Sequence, residues 1–135
     1  MKYGLFCIPA LVLLTSYQPG TSDCRTVKRG VYEVRFRSAE EQRLMTYRLV
    51  RNDSFQEETH VETGHKTKLR VFWESPCTYL LRYHSGYRYD PDSIINLRTV
   101  LKIEILDVTQ DYYVFKNSSN THWYSYTDTA WRISR

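Results

Sequence analysis

The sequence predicts an all-β fold, a single antiparallel up-and-down barrel of about eight strands, with a β-sandwich as the alternative. Three observations carry the prediction. From Val31 onward apolar residues recur at period two, the pattern of strands that bury one face. Short turn-forming clusters separate these runs. Parallel pairing needs long crossover segments between strands, and the sequence offers none. Successive hairpins of this kind favour a barrel.

The elements follow in order. Met1 and Lys2 precede an uncharged apolar stretch, Gly4 to Leu14, too short to span a bilayer and typical of a secretory signal peptide. Ser16 or Ser22 would suit a signal peptidase, so residues 1–22 read as a signal peptide and 23–135 as one domain. The expected location is the periplasm or the extracellular space. Lipidation normally wants small residues directly before a cysteine at the end of the apolar stretch. Thr21-Ser22-Asp23 precede Cys24, and Cys7 lies inside the stretch, so a soluble protein is favoured over an anchored one. No membrane span is expected once the leader is removed.

Roughly 115 residues then remain, enough for one domain with one core. Tyr32, Val34 and Phe36 alternate with Glu33, Arg35 and Arg37, and Met45, Tyr47 and Leu49 with Thr46 and Arg48. Arg51-Asn52-Asp53-Ser54 supplies a turn, and Phe55 to Glu62 extends again. After Thr63-Gly64-His65, Leu69, Val71 and Trp73 share one face. Ser75-Pro76 interrupts, because proline cannot donate to a central ladder. Cys77, Tyr79, Leu81 and Tyr83 share the next face. His84 to Ser93 has turn composition, with Asp92 or Ser93 as a cap for one helical turn at Ile94-Ile95-Asn96-Leu97. Leu101, Ile103 and Ile105 resume the alternation. Tyr112–Lys116, Thr121–Thr127 and Thr129–Ile133 complete the set, with Asn117-Ser118-Ser119-Asn120 as a turn.

Export makes the cysteines informative. Cys7 leaves with the leader, and the remaining pair, Cys24 and Cys77, is expected to form a disulfide in an oxidising compartment. It would staple the mature N-terminus to the start of a central strand. A metal site would want more ligands at closer spacing, and a catalytic thiol a nearby base.

The formal charge of +4 is spread among many acids, with no run of like charge, so a nucleic-acid stripe is not expected. Arg82, Arg88 and Arg98 interleave with aromatics, but export and the balanced strand faces argue against single-stranded nucleic acid. Glu58, His60 and Glu62 recur at period two and invite a metal hypothesis. The opposite face of that strand holds Phe55 and Val61, so the histidine face is expected to be the wet one, a solvated charge cluster. Asp90 and Asp92 lack the further oxygen donors and the bend glycine of a calcium loop. No nucleophile elbow and no Gly-rich phosphate loop occurs, so no enzyme and no cofactor are expected. Asn52-Asp53-Ser54 and Asn117-Ser118-Ser119 match the N-glycosylation pattern.

The unusual composition is aromatic: twelve tyrosines, three tryptophans and five phenylalanines. Alternation assigns Tyr32, Phe36, Tyr47, Trp73 and Trp131 to the core. Tyr83, Tyr87, Tyr89, Tyr124 and Tyr126 cluster where turns and strand ends should lie. A flat apolar ring with a polar tip suits ligand stacking and protein interfaces, so these five are the candidate ligand-binding residues.

Cys24 with Gly30-Val31-Tyr32, Arg51-Asn52-Asp53-Ser54, Trp73-Glu74-Ser75-Pro76-Cys77-Thr78-Tyr79-Leu80 and Leu101-Lys102-Ile103-Glu104-Ile105 together resemble small exported, lipocalin-like β proteins of the Bacteroidetes. The resemblance implies a paired cysteine, a meander barrel and a Gram-negative envelope location, and it transfers no catalytic residue. The chain is shorter than a typical lipocalin and richer in aromatic filling. The expected function is an exported, non-catalytic binding module holding a small apolar or amphipathic ligand in the barrel. A core filled by Trp73, Tyr79 and Phe115 would leave it no room. The alternative is a cell-envelope interaction module that binds a protein through exposed tyrosines and a sheet edge.

Overall fold

The structure is a computed structural model, and it describes residues 23–37, 42–87, 95–121, 123 and 125–134. The predicted leader, Tyr89 and Tyr124 lie outside the described residues. Eight strands form one closed antiparallel barrel in sequence order. They are β1 (Gly30–Arg37), β2 (Leu44–Arg51), β3 (Phe55–His60), β4 (Lys66–Ser75), β5 (Thr78–Gly86), β6 (Val100–Val108), β7 (Tyr112–Ser119) and β8 (Ser125–Ser134). A 3₁₀ turn over Cys24–Val27 precedes β1, and the helical turn α1 (Ile95–Arg98) falls where Ile94 to Leu97 predicts one. The barrel is the fold that the hairpin pattern predicts, and it closes where β1 pairs with β8, Val31 opposite Ser134 and Val34 opposite Ala130.

Period-two alternation decides the inner face. Tyr32 and Val34 on β1, Leu49 on β2, Leu69 and Val71 on β4 are buried. So are Tyr79 and Leu81 on β5, Ile103 and Ile105 on β6, Tyr113 and Phe115 on β7, and Ala130 on β8. Each full burial of a leucine-sized side chain stabilises by roughly 1.5–3 kcal/mol, so this inner lining is the main source of stability. The outward faces mix exposed Arg35, Arg48, Arg70, Arg82, Lys102 and Lys116 with exposed Val50, Phe72 and Trp131, whereas a transmembrane barrel turns a continuous apolar band to lipid. Among the described residues no helix is long and apolar enough to cross a membrane.

Four expectations are corrected. Thr121–Thr127 and Thr129–Ile133 are not two strands, because β8 runs unbroken over Ser125–Ser134. Asn117 to Ser119 are not a turn but the end of β7, and Asn117 is buried, which closes its glycosylation pattern, while Asn52 stays exposed in its turn. Trp131 is not core: it is half-exposed on the outer face and packs on Tyr112 at 5.0 Å. The Tyr32 and Tyr113 rings meet edge-on at 5.0 Å inside, which leaves space only for Ala130 in that layer. The fourth is the face of β3. Gln56, Glu58 and His60 point inward, and Phe55 lies outside under the Lys68 ammonium at 4.3 Å and the Arg70 guanidinium at 5.7 Å. Val61 is exposed in the turn after β3.

Candidate functional site: the barrel interior

The interior is divided along its axis. At one end stand the starts of β1, β3, β5 and β7, and the 3₁₀ turn plugs it. Asp23 caps that turn by accepting from the Arg25 amide at 3.1 Å, and Val27 is fully buried beneath it. The Cys24–Cys77 disulfide, with Cα atoms 5.1 Å apart, fastens the plug to the chain just before β5. Tyr32 donates to the Arg29 carbonyl at 2.9 Å, so β1 is tied back to the same plug. Gly30 makes this possible. Its φ of +140° suits glycine, and a Cβ there would sit 2.8 Å from the Tyr32 hydroxyl.

Below the plug lies a buried charge. Arg51 is 3 % exposed, and its guanidinium donates to the Tyr79 hydroxyl and, at 2.8 Å, to that of Tyr113. It also sits over the rings of Tyr79 at 4.7 Å and of Tyr32 and Tyr113 at 5.3 Å. Burial works against its charge, but Tyr113, Tyr79 and Tyr32 outweigh that, so Arg51 titrates above its ordinary value. Burial also holds the Tyr79 phenol well above its usual range and raises that of Tyr32.

The other half of the barrel is not filled. A cavity of about 220 Å³ is walled by all strands except β4. Tyr79 and Tyr113 form its deep end, Leu49, Leu81, Leu101, Ile103 and Phe115 its sides, and the exposed Phe36 and Tyr126 lie toward the far end. Tyr79 and Phe115 thus take up interior volume, as the aromatic content suggested, yet they leave this space as its walls. Trp73 lies farther down, against Tyr79 at 4.7 Å.

Three polar side chains face the cavity: Gln56 and Glu58 from β3, and Asn117 from β7. The Gln56 amide donates to Glu58 Oε1 at 2.7 Å, and the Asn117 amide to the Tyr126 hydroxyl at 2.8 Å. Burial raises the Glu58 carboxyl above the ordinary glutamate range, although the Gln56 hydrogen bond and the Arg51 charge pull it back. Gln56 Oε1 and Asn117 Oδ1 are buried and have no hydrogen-bond partner, an unmet acceptor capacity that normally costs stability.

The predicted ligand-binding tyrosines divide. Tyr126 lines the cavity. Tyr83 is half-buried against the core and donates to the Gly86 carbonyl at 2.8 Å, so it braces the rim of the barrel. Tyr87 is exposed and stacks on His65 at 3.8 Å. Tyr89 and Tyr124 lie outside the described residues. His60, which the pattern placed in water, is 8 % exposed, bonds Thr63 Oγ1 at 2.7 Å and packs on Tyr47. Among the described residues no group of three or more His, Cys, Asp or Glu side chains is placed to hold a metal ion.

Sequence reasoning missed Arg51, Gln56 and Asn117, and it singled out Glu58 but placed it on the wet face. For two of them a signal existed. Arg51 continues the phase of Tyr47 and Leu49, and Asn117 that of Tyr113 and Phe115. Their polarity drew them into the neighbouring turns instead. Among the described strands no sheet edge of the kind invoked for a protein partner is left free, since closure pairs each strand with a neighbour on both sides. No family model, curated protein or solved structure matches the chain.

Proposed function

We propose that the protein is an exported, non-catalytic carrier that holds a small amphipathic ligand inside its barrel. The observation that carries this reading is the cavity of about 220 Å³, whose walls are largely apolar and whose few polar groups include two acceptors without partners. That is the chemistry of a ligand pocket: apolar surface supplies affinity, and a small number of placed polar atoms fix orientation. Export is supported by the Cys24–Cys77 bridge, which persists in oxidising compartments, and by the basic-then-apolar start of the chain. The non-catalytic part rests on how the interior groups are engaged. Arg51 is held by the Tyr79 and Tyr113 hydroxyls and Glu58 by Gln56, so both are engaged in structural contacts.

Native mass spectrometry of the protein purified from an exporting host tests the reading, together with titration of an environment-sensitive apolar dye. A bound small molecule, or saturable one-to-one dye binding that Leu81→Trp abolishes by filling the cavity, supports the carrier. A bare protein whose dye binding ignores Leu81→Trp overturns it.

A further inference from the structure

We infer that the ligand's polar end is a protonated amine that pairs with Glu58, with an apolar ring or short chain against Leu49, Leu81, Leu101 and Ile103. The inference rests on the carrier reading and names its ligand class. Among the described residues lining the cavity, Glu58 is the one carboxyl, and none of them is a lysine, arginine or histidine. The other interior charge, Arg51, is not part of the lining, and two tyrosine hydroxyls and three tyrosine rings stand around its guanidinium.

What the walls leave unmet is acceptor capacity. Gln56 Oε1 and Asn117 Oδ1 accept nothing, and Glu58 accepts one bond from Gln56 while a carboxylate can take several. In strand order β3 and β7 stand opposite each other around the barrel, so acceptors approach from facing walls. An alkylammonium group brings three donors and a positive charge. A ligand carboxylate would bring neither, and would meet Glu58 as a like charge. The aromatic walls act in the same sense, because ring faces attract cations where water is excluded. Size narrows the class further. An apolar cavity of roughly 150 Å³ takes benzene, so about 220 Å³ holds one ring with a short chain.

Isothermal titration calorimetry at pH 8 separates the possibilities with three probes of one shape: phenethylamine, 2-phenylethanol and 3-phenylpropionate. The expected result is that phenethylamine binds at least about tenfold tighter than the alcohol, with the carboxylate weakest, and that Glu58→Gln removes the margin between amine and alcohol. Retained dye binding by Glu58→Gln shows that its cavity is intact. Equal binding of amine and alcohol, a preference for the carboxylate, or an amine margin that survives Glu58→Gln overturns the inference while leaving the carrier in place. Failure of all three probes also overturns it, and the mass spectrum and dye titration then decide separately whether the carrier reading falls with it.

Discussion

The two ends of the barrel are built from the same eight strands and the same kind of residue, yet they are finished in opposite ways. At the plugged end, Arg51 donates to Tyr79 and Tyr113 and stands over three tyrosine rings, Val27 fills the axis, and a disulfide fixes the plug. At the other end Gln56 and Asn117 keep unmet acceptors around a cavity, and Glu58 is held there at a raised pKa. Arg51 Nε lacks a partner too, but both terminal nitrogens of its guanidinium are engaged and it lies in filled space, whereas the unmet acceptors of Gln56 and Asn117 face open volume that a further group can enter. The difference teaches where to look for function in a barrel whose apolar core holds polar groups at both ends. It lies where unmet polar atoms face open volume, not where charge is deepest.

The plugged end should dominate stability, and the largest test of that is covalent. The bridge joins residues 53 apart in sequence. In the chain-entropy account, closing a loop of that length stabilises by about 4 kcal/mol. Cys24→Ser/Cys77→Ser should lose most of this in urea unfolding followed by tyrosine and tryptophan fluorescence. A loss below about 1 kcal/mol would mean that the plug docks unaided, and would shift the weight of the comparison onto Arg51.

Arg51→Ala comes next. It leaves the Tyr79 and Tyr113 hydroxyls without their donor and opens space beneath the plug. Orphaned buried hydroxyls cost roughly 1–3 kcal/mol each, so a destabilisation of about 3 kcal/mol is expected. Arg51→Lys should recover only part of it, because an ammonium cannot reproduce the fork that reaches two hydroxyls. Full recovery by lysine would show that charge alone, rather than the two-armed contact, holds this end together.

The sequence was legible in proportion to how far polarity follows burial. Wherever apolar residues set the inner phase, as in β4 with Leu69, Val71 and Trp73, strand, face and neighbour could all be read. Cys24 and Cys77 were legible because the expected loss of the leader leaves only two cysteines. On β3 the rule inverts. Gln56, Glu58 and His60 point inward because Arg51, the cavity and Tyr47 give polar groups something to meet there. Phe55 tolerates the outside because Lys68, Arg70 and His84 cover it. On β8 the inner position goes to Ala130 rather than Trp131, because volume is already taken by the Tyr32–Tyr113 pair. Neither reversal is encoded locally, since each depends on which side chain a distant strand brings across the barrel. The cavity is hidden for the same reason. Of Tyr83, Tyr87 and Tyr126, the described tyrosines singled out for ligand binding, only Tyr126 lines it.

The smallest expected effect concerns pH and reaches into the cavity itself. Burial raises the folded-state pKa of Glu58 above its ordinary 4.5, so between that value and the raised one the folded state holds a proton that the unfolded chain has released. More protons bound to the folded state means that stability falls as pH rises through this window and levels off above it. Asp128, also raised by burial, adds the same sign, while Arg51, His60, Tyr32, Tyr47, Tyr79, Tyr113 and Tyr126 are the other ionisable groups described in this interior. Subtracting the thermal-denaturation profile of Glu58→Gln from that of the parent between pH 4.5 and 8 isolates the Glu58 share. The parent should lose stability relative to the variant with rising pH, and a flat difference would mean that Glu58 meets water as freely folded as unfolded. Amine binding should run the other way, strengthening as Glu58 ionises and reaching its plateau where the stability difference does. The ionised carboxylate that weakens the empty barrel is then the group that the ligand completes.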